Sequence, residues 1–375
     1  MSSGPTVVVG MSGGVDSSVS AFLLKEQGYR VIGMFMKNWE EPDNDGVCPA
    51  AIEFEDVVRV CDQLDIPYYS VNFVKEYRDH VFSHFLREFQ AGHTPNPDIL
   101  CNREIKFKVL LDKAIELGAD FLATGHYCQN ERHPNGEFQL LKGLDPGKDQ
   151  SYFLHAITEK ALQKVLFPVG NLHKSEVRRI AKAQNLATSE KKDSTGICFI
   201  GERDFKQFLL QYLPGKPGDF EDLSGKKVGR HDGVAYYTPG QRKGLGIGGP
   251  GEAWFVVDKD IERNVVILAQ GELHPALYCD ELVAVDMQWI SPNGPPPFPF
   301  NCKAKIRYRQ ADQECTLSLE EGKVMVRFAI PQRAVTIGQS VVFYDGNVCL
   351  GGGTIHLPGP SYYSRGAELP ALVGK

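Results

Sequence analysis

The chain of 375 residues lacks several features that would assign it to a class at once. No apolar run approaches the roughly 18–20 residues that a membrane-spanning helix needs. The first residues, MSSGPTVVVG, contain neither a basic segment nor a cleavage pattern, so they do not resemble a secretion signal. These absences predict a cytoplasmic protein that makes no use of a membrane.

Cysteine is present but is not arranged as a framework. The nine cysteines are spread along the chain and include no C-x-x-C pair. This spacing argues against a zinc ribbon, against any metal site of that kind, and against a set of structural disulfides. Any cysteine that matters for function is therefore expected to act through the chemistry of its thiol.

The net charge of −6 does not by itself suggest a nucleic-acid partner. Basic residues nevertheless cluster locally, in the segments 173–182, 224–230 and 303–309. An acidic protein with such patches can bind RNA on one face, although solvated helix and loop surfaces explain each patch alone equally well.

The first third of the chain alternates between short apolar stretches and amphipathic stretches. Strands are predicted at 6–10, 29–36, 66–73 and 119–127, and helices at 15–28, 51–65 and 105–118. This alternation predicts a parallel sheet with helices on both faces. Ligands of such sheets bind at the carboxyl ends of the strands, where the loop after VVVG, Met36 and Gly125 stand.

The texture of the sequence changes near residue 204, where glycine and proline become dense. Residues 277–356 read as β-structure throughout, with turn signals every ten residues or so, which predicts a small barrel or sandwich. We therefore expect a catalytic domain at 1–203, a small β-rich domain at 204–274, a C-terminal β-barrel at 275–362 and a flexible tail at 363–375.

The stretch GMSGGVDSS (10–18) stands between a predicted strand and a predicted helix. Gly13 and Gly14 allow a tight turn that directs backbone amides toward an anion, and the helix dipole adds to this field. Asp16 or Ser17 is expected near the helix cap. The stretch matches neither the Walker pattern nor the Rossmann pattern, yet it predicts a phosphate-binding loop.

Two cysteines stand in unusual surroundings. Cys101 lies in PNPDILCN (95–102), three positions after Asp98, and a helical turn beginning at Pro97 would place both on one face. Cys198 lies in DSTGICFIG (193–201), after a basic segment that would lower the pKa of its thiol. One cysteine could carry sulfur as a persulfide while the other attacks the carrier or an activated carbon. The two thiols are then expected to come close enough to form a disulfide.

The motifs together resemble a known family. SGGVDSS resembles the signature of the PP-loop ATP pyrophosphatases, in which a substrate oxygen attacks the α-phosphorus of ATP and pyrophosphate leaves. Further motifs are GMFMKNWEE, TPNPDILCNREIKF, ATGHY, KDQSYFL, DSTGICFIGERDF, TPGQRKGLGIGG and IRYRQ. In this order they are similar to the bacterial tRNA-specific 2-thiouridylases, which replace O2 of the wobble uridine with sulfur in lysine, glutamate and glutamine tRNAs.

The resemblance implies an α/β fold with a PP-loop domain of the adenine nucleotide alpha hydrolase type, a small, mostly β linking domain and a C-terminal tRNA-binding barrel. It implies that Cys101 is the nucleophile, that Cys198 carries the persulfide, and that Asp98 is the acid or base. The implied ATP-binding residues are Gly10, Met11, Ser12, Gly13, Gly14, Val15, Asp16, Ser17, Met36 and Gly125. Asn96, Pro97 and Asp98 would surround the target base. The implied tRNA contacts are His126, Lys148, Asp149, Gln150, Arg307, Tyr308 and Gln339.

The expected cofactors are ATP and Mg²⁺, since the metal offsets phosphate charge. The expected partners are tRNA and a sulfur donor, which a cysteine desulfurase loads directly or through relay proteins. The barrel is expected to grip tRNA away from the chemistry through KIRYR, and binding should weaken with salt.

Three alternatives remain open. Asp98, Cys101 and Cys198 could hold an iron–sulfur cluster, although a fourth ligand is missing. The chain could be another PP-loop enzyme, such as a base amidotransferase or a carboxylate-activating synthetase, that needs neither cysteine. It could also be an RNA-binding protein with a degenerate nucleotide site, which the intact SGGVDSS argues against.

Overall fold

The computed structural model of the protein describes residues 4–40, 49–193 and 205–371. These residues form three sheets, of five, four and eight strands. The first seven strands are β1 (Thr6–Met11), β2 (Arg30–Lys37), β3 (Tyr68–Asn72), β4 (Phe121–Ala123), β5 (Cys128–Arg132), β6 (Phe138–Lys142) and β7 (Val165–Leu166). The helices of this part are α1 (Val15–Glu26), α2 (Pro49–Leu64), α3 (Val74–Tyr77), α4 (Ser83–Gln90), α5 (Pro97–Leu100), α6 (Leu111–Glu116), α7 (Ser151–Leu154), α8 (Glu159–Leu162) and α9 (Lys174–Ala183).

The first sheet is parallel and has the order β3-β2-β1-β4-β7. Its central strand β1 contains the run Val7–Val9, which is almost completely buried because both faces of the sheet are covered. The predicted α/β sheet is therefore confirmed. The last predicted strand is shorter than expected, since β4 ends at Ala123 and the chain then turns into a loop.

The helix that contains Cys101 is longer than predicted and has an unusual middle. It begins at Pro97 and continues through a π-helical segment, Cys101–Leu110, into α6. Asn96 caps it, because its side-chain oxygen accepts a hydrogen bond of 3.2 Å from the amide of Asp98. Proline is favoured at this first position, and π-helical turns are frequent at functional sites. The expected helical turn at Pro97 is thus present.

A short helix, α10 (Phe205–Leu210), leads into a four-stranded sheet. Its strands are β8 (Gly218–Asp222), β9 (Lys227–His231), β10 (Trp254–Asp260) and β11 (Val265–Gln270), in the order β10-β11-β8-β9. Phe220, Val256, Val266 and Leu268 are buried in its small core. Short 3₁₀ turns lie at Val234–Tyr236 and Pro275–Leu277.

The C-terminal strands are β12 (Tyr278–Trp289), β13 (Phe300–Lys305), β14 (Gln313–Glu320), β15 (Lys323–Arg333), β16 (Ser340–Asp345) and β17 (Val348–Pro358). They pair in the order β12-β15-β14-β13-β16-β17, and β17 pairs back with β12, so the antiparallel sheet closes into a barrel. The strand predicted over KIRYR ends at Lys305. Arg307 and Tyr308 lie in the following turn, where Gln310 accepts from the amide of Ile306 at 2.8 Å.

The barrel is continuous with the first domain. The hairpin β5–β6 extends the barrel sheet, since Leu140 and Leu141 pair with Cys349 and Val348 of β17. One core cluster joins residues of both parts, including Cys101, Tyr152 and Tyr344. The catalytic part and the barrel therefore share buried surface, whereas the domain boundaries at 203 and 274 stay predictions.

Candidate active site

The phosphate loop connects the central strand β1 to α1. Gly13 has a φ of 70°, and a Cβ there would lie 2.6 Å from the main-chain oxygen of Glu53. The amide of Ser12 donates to Ser17 Oγ at 3.2 Å, and Ser17 Oγ donates to the carbonyl of Gly14 at 3.1 Å. These contacts fold the loop tightly over the start of α1. An anion bound there would face backbone amides and the positive end of the helix.

The remaining predicted ATP residues lie on or beside this loop. Gly10 and Met11 end β1 opposite Met34 and Phe35 of β2, so Met36 stands just beyond that end. Met11 and Val15 are buried and contribute to the core rather than to an open surface. Any contact they make with a nucleotide is therefore expected through the backbone.

Gly125 follows β4 and touches the first turn of α1. A Cβ at this position would lie 2.8 Å from the amide nitrogen of Ser17, so only glycine permits the approach. Strand order places β1 between β2 and β4, and the chain runs outward in opposite directions from this point. Such a switch in strand order opens a crevice for a ligand. The structure thus brings Gly125, Asp16 and Ser17 together at the expected edge.

Asp16 has two partners that sequence reasoning missed. Its Oδ1 accepts hydrogen bonds from the hydroxyl of Tyr127 at 2.7 Å and from Lys174 Nζ at 2.7 Å. Burial and the Asp16 carboxylate raise the pKa of Tyr127, so the phenol stays protonated and donates. Lys174 begins α9 and belongs to the basic segment 173–182, but its side chain is only 13% exposed. The sequence indicated a basic segment at 173–182, but it did not indicate that the Lys174 side chain turns inward to Asp16.

Asp193 is held by three cations. Its carboxylate lies 2.7 Å from Lys148 Nζ, 2.8 Å from Lys174 Nζ and 2.6 Å from Arg178 Nη2. Burial would raise the pKa of Asp193, but hydrogen bonds from Lys148 and Lys174 outweigh it and hold the pKa well below its usual value. Lys174 thus links the phosphate loop to the residue that opens the motif of Cys198. The Cys198 prediction itself falls within 194–204, outside the described residues.

The Cys101 site is buried. Cys101 is 1% exposed in the main core cluster, and Asp98 lies half-buried one helical turn before it. Asn96 is half-buried and Pro97 is buried. The spacing within this turn places Asp98 and Cys101 on one side of the helix, as the sequence predicted. The Cys101 helix also reaches the phosphate loop, because a Cβ on Gly10 would lie 3.6 Å from Leu110.

The loop that precedes this helix is a junction of all three parts of the chain. The amide of Thr94 donates to the carbonyl of Ile337 in the barrel at 3.0 Å, and Gln339 Nε2 donates to the carbonyl of Thr94 at 2.6 Å. The hydroxyl of Thr94 lies 3.4 Å from that of Thr238 in the central domain. Gln339, predicted to contact tRNA, therefore has a partner within the protein.

Lys148, Asp149 and Gln150 lie together on one loop, and Lys148 connects this loop to the charged cluster around Asp193. Asp149 is 6% exposed. Its Oδ1 accepts from the amides of Gly143 at 3.0 Å and Ser151 at 3.1 Å. Gln150 Oε1 accepts from the amide of Tyr127 at 2.9 Å. Asp149 and Gln150 thus hold the loop in shape, and their predicted tRNA contacts stay predictions.

Tyr308 of the barrel reaches the same loop. Its hydroxyl donates to the carbonyl of Lys148 at 3.3 Å, and its ring centre lies 4.4 Å from that of Phe153. Burial raises the pKa of Tyr308 to about 12. Arg307 Nη2 donates to the carbonyl of Ala334 at 2.7 Å. Lys148 and Tyr308, two predicted tRNA residues that are far apart in sequence, are therefore in contact in the structure.

His126 is half-buried at the end of β4. Its Nδ1 lies 2.8 Å from Thr124 Oγ1, and its ring packs against Phe107 with a centre-to-centre distance of 5.6 Å. Burial and the nearby Lys106 hold the pKa of His126 well below its usual value. A tRNA contact here would involve a neutral imidazole.

The described residues contain neither a metal-binding cluster nor a helix that could span a membrane. Across 4–40, 49–193 and 205–371, no three His, Cys, Asp or Glu side chains gather in a way that could hold a metal ion. In those same ranges, no helix is both long and apolar enough to cross a membrane.

Family models match the chain in three consecutive blocks. The tRNA methyl transferase HUP domain matches residues 5–202, the tRNA methyl transferase PRC-barrel domain 206–270, and the aminomethyltransferase β-barrel domain 279–355. Among solved structures, the U34-tRNA thiolase NcsA from Methanococcus maripaludis is 21% identical and covers 52% of this chain and 62% of that one. The TM-score of this match is 0.34.

Curated relatives match almost the whole chain. The tRNA-specific 2-thiouridylase MnmA of Protochlamydia amoebophila is 64% identical over 366 residues, which is 97% of each chain. The protein of the same name from Alkaliphilus oremlandii is 60% identical over 352 residues, covering 93% of this chain and 96% of the relative. Identity of 60% or more over nearly the whole length of both proteins shows that the chain belongs to the tRNA-specific 2-thiouridylase family.

Proposed function

We propose that the protein is a tRNA-uridine 2-sulfurtransferase that uses ATP to activate O2 of the wobble uridine and then replaces this oxygen with sulfur. The observation that supports the proposal most directly is the phosphate loop beside the helix of Asp98 and Cys101. The first can hold the phosphates of ATP, and the second offers a thiol and a carboxylate at a buried site. The expected substrates are lysine, glutamate and glutamine tRNAs.

In the first step, O2 of the uridine attacks the α-phosphorus of ATP and pyrophosphate leaves. The loop 10–17 and the start of α1 bind the phosphates through backbone amides. Lys174, which already lies 2.7 Å from Asp16, adds a positive charge at the same place. Positioning and charge stabilisation are the main contributions that a protein makes to such a step.

Magnesium fits this site only as a companion of ATP. The described residues supply no cluster of three ligating side chains, and Asp16 is the carboxylate of the loop itself. Mg²⁺ commonly uses one or two carboxylates together with phosphate oxygens and water. When bound, it would offset the charge of the phosphates.

In the second step, the terminal sulfur of a Cys198 persulfide attacks C2 of the adenylated uridine, and AMP leaves. The Cys101 thiolate then attacks the Cys198 sulfur, which releases the thiouridine and leaves a disulfide between the two cysteines. An external thiol reduces that disulfide, and a cysteine desulfurase, directly or through relay proteins, supplies the next sulfur. Asp98 moves the proton at the reacting base.

A wobble base must leave its stack to reach a buried thiol, and proteins read such splayed bases by stacking and edge contacts. His126, Lys148, Asp149, Gln150, Arg307, Tyr308 and Gln339 are the residues for which we propose tRNA contacts. Asn96, Pro97 and Asp98 are proposed to surround the flipped base. The proposal for Lys148 and Tyr308 is supported by their contact, since the hydroxyl of Tyr308 donates to the main-chain carbonyl of Lys148.

The deciding experiment follows pyrophosphate release and thiouridine formation together, with full-length protein, ATP, Mg²⁺, unmodified glutamate tRNA, a cysteine desulfurase with cysteine as the persulfide donor, and a thiol reductant. Wild type should form both products, whereas Cys101→Ser and Cys198→Ser should each form no thiouridine. Cys279→Ser is the matched control, since Cys279, like Cys101, is a buried thiol but lies in the barrel.

Each alternative predicts a different result. Pyrophosphate release without thiouridine in all variants would favour another PP-loop enzyme, and no tRNA-dependent pyrophosphate release at all would favour a binding protein. A coloured protein after anaerobic purification, with loss of activity on loss of colour, would favour an iron–sulfur cluster over the persulfide route.

A further inference from the structure

The barrel contains a second pair of cysteines that the proposed reaction does not use. Cys302 of β13 and Cys315 of β14 stand directly opposite each other in the antiparallel pair. Their sulfur atoms are 3.7 Å apart. We propose that Cys302 and Cys315 form a reversible disulfide that links these two strands, and that this site is independent of the sulfur transfer at Cys101.

The backbone already satisfies the geometry of a disulfide. Directly opposed residues of antiparallel strands have Cα atoms about 4.5–5.5 Å apart, which lies within the disulfide range of about 4.4–6.8 Å. The sulfur atoms must approach to about 2.05 Å, and rotation of the two side chains can supply this movement. Phe300 pairs with Leu317 on one side and Ala304 with Gln313 on the other, so the ladder holds the two thiols opposite each other.

The two thiols differ in access. Cys302 is half-buried, whereas Cys315 is 6% exposed and belongs to the barrel core. The hydrogen bond with Cys302, followed by burial, raises the pKa of Cys315, which makes its thiolate scarce and its attack the slower of the two steps. Cys302 is therefore the thiol that meets an oxidant first, and Cys315 is the resolving thiol.

A low-molecular-weight disulfide serves as the oxidant. The thiolate of Cys302 attacks one sulfur of the reagent, forms a mixed disulfide and displaces one thiolate. Cys315 then gives its proton to solvent and attacks the Cys302 sulfur, and a second thiolate leaves. The protein loses two electrons and two protons while the reagent disulfide becomes two thiols, so the exchange is balanced.

The position of the pair gives the bond a structural consequence. Beyond Cys302, β13 continues to Lys305, whose amine lies 3.5 Å from Asp149 Oδ2. The chain then enters the turn of Arg307 and Tyr308. A disulfide would tie this strand covalently to β14 just before the turn.

The test uses the full-length chain with both Cys101 and Cys198 replaced by serine, which removes their own predicted disulfide. This variant, in its folded state, is equilibrated in glutathione buffers that range from reducing to oxidising. It is then alkylated, digested with trypsin and analysed by mass spectrometry. Lys303 and Arg309 provide cleavage sites between the two cysteines, so a linked pair appears as two joined peptides.

We expect alkylation of Cys302 and Cys315 to be lost together as the buffer becomes oxidising, and dithiothreitol to restore both. Cys315→Ser should abolish the joined peptides and leave a glutathione adduct on Cys302, whereas Cys279→Ser should change nothing. The proposal is overturned if both thiols stay alkylated in every buffer, if only the adduct forms in the parent chain, or if the link appears only after unfolding in urea. None of these outcomes depends on thiouridine formation.

Discussion

Replacing Gln339 with leucine should slow the reaction through the loop that leads to Cys101. Gln339 Nε2 donates to the carbonyl of Thr94 at 2.6 Å, and leucine keeps the approximate size of the side chain but removes this donor. A neutral hydrogen bond contributes about 1 kcal/mol net, and a buried acceptor left without a donor costs up to about 3 kcal/mol. Thr94 is half-buried, so water can replace part of the bond, and we expect the lower value.

A cost of about 1 kcal/mol in the productive loop conformation corresponds to roughly a fivefold decrease in kcat. The direct assay is the rate at which Cys101 is alkylated without tRNA, measured on its own peptide by mass spectrometry. Because Cys101 is 1% exposed, alkylation requires the loop or helix to open, so Gln339→Leu should accelerate it by about the same factor. Gln288→Leu is the control, since Gln288 is an exposed glutamine of the same barrel.

Gln339 is also proposed to contact tRNA directly, and the alternative is that this contact is its whole contribution. In that case Gln339→Leu would weaken tRNA binding and leave both the alkylation rate and kcat at saturating tRNA unchanged. This combination would refute the positioning argument. Faster alkylation with unchanged tRNA affinity would support it.

Three further outcomes follow from the same contacts. Lys174→Met leaves Asp16 without its cation, so we expect pyrophosphate release to be lost and the free energy of unfolding in urea to fall by about 1–3 kcal/mol. The control is Lys182→Met, at a 59% exposed position of the same helix, which should change the free energy of unfolding by under about 0.5 kcal/mol. Burial lowers the pKa of His155 to about 4, so between pH 6.5 and pH 4 the unfolded state binds a proton that the folded state does not. The free energy of unfolding should therefore be highest above pH 6.5 and should fall by about 3 kcal/mol as the pH drops to 4. Unfolding of His155→Gln in urea should lack this part of the pH dependence. Tyr308→Phe loses one long hydrogen bond and should lower the free energy of unfolding in urea by under about 1 kcal/mol. Tyr308→Ala also loses the ring packed on Phe153 and should lower it by roughly 2–4 kcal/mol, so equal losses in the two variants would contradict the role of the ring.

The sequence predicted the parts of the fold that depend on local patterns. The run Val7–Val9, the glycines of the phosphate loop and the helix start at Pro97 are each set by neighbours within a few residues, and each was found where the pattern placed it. The same holds for the turn spacing that predicted a barrel or sandwich. Local patterns could not distinguish these two, because closure depends on the pairing of β12 with β17.

Contacts between distant residues account for what was missed. The ion pair of Asp16 with Lys174 joins residues 158 positions apart, and no local pattern indicates which lysine of a basic segment turns inward. The hairpin β5–β6 resembles an ordinary surface feature until β17 pairs with it. The strand predicted to 127 ends at Ala123, since Gly125 must approach α1 closely and leaves the sheet to do so.

The barrel is predicted to bind tRNA at a distance from the chemistry, and its contacts show that it also supports two loops of the first domain. It holds Thr94 through Ile337 and Gln339, and it holds the Lys148 loop through Tyr308. Removing the barrel would therefore expose the edge of β6 and release both loops at once. Loss of activity in such a truncation could not distinguish RNA binding from positioning, because the same deletion removes both. Single substitutions at these contacts, with Cys101 reactivity and tRNA affinity measured side by side, are the way to separate the two contributions.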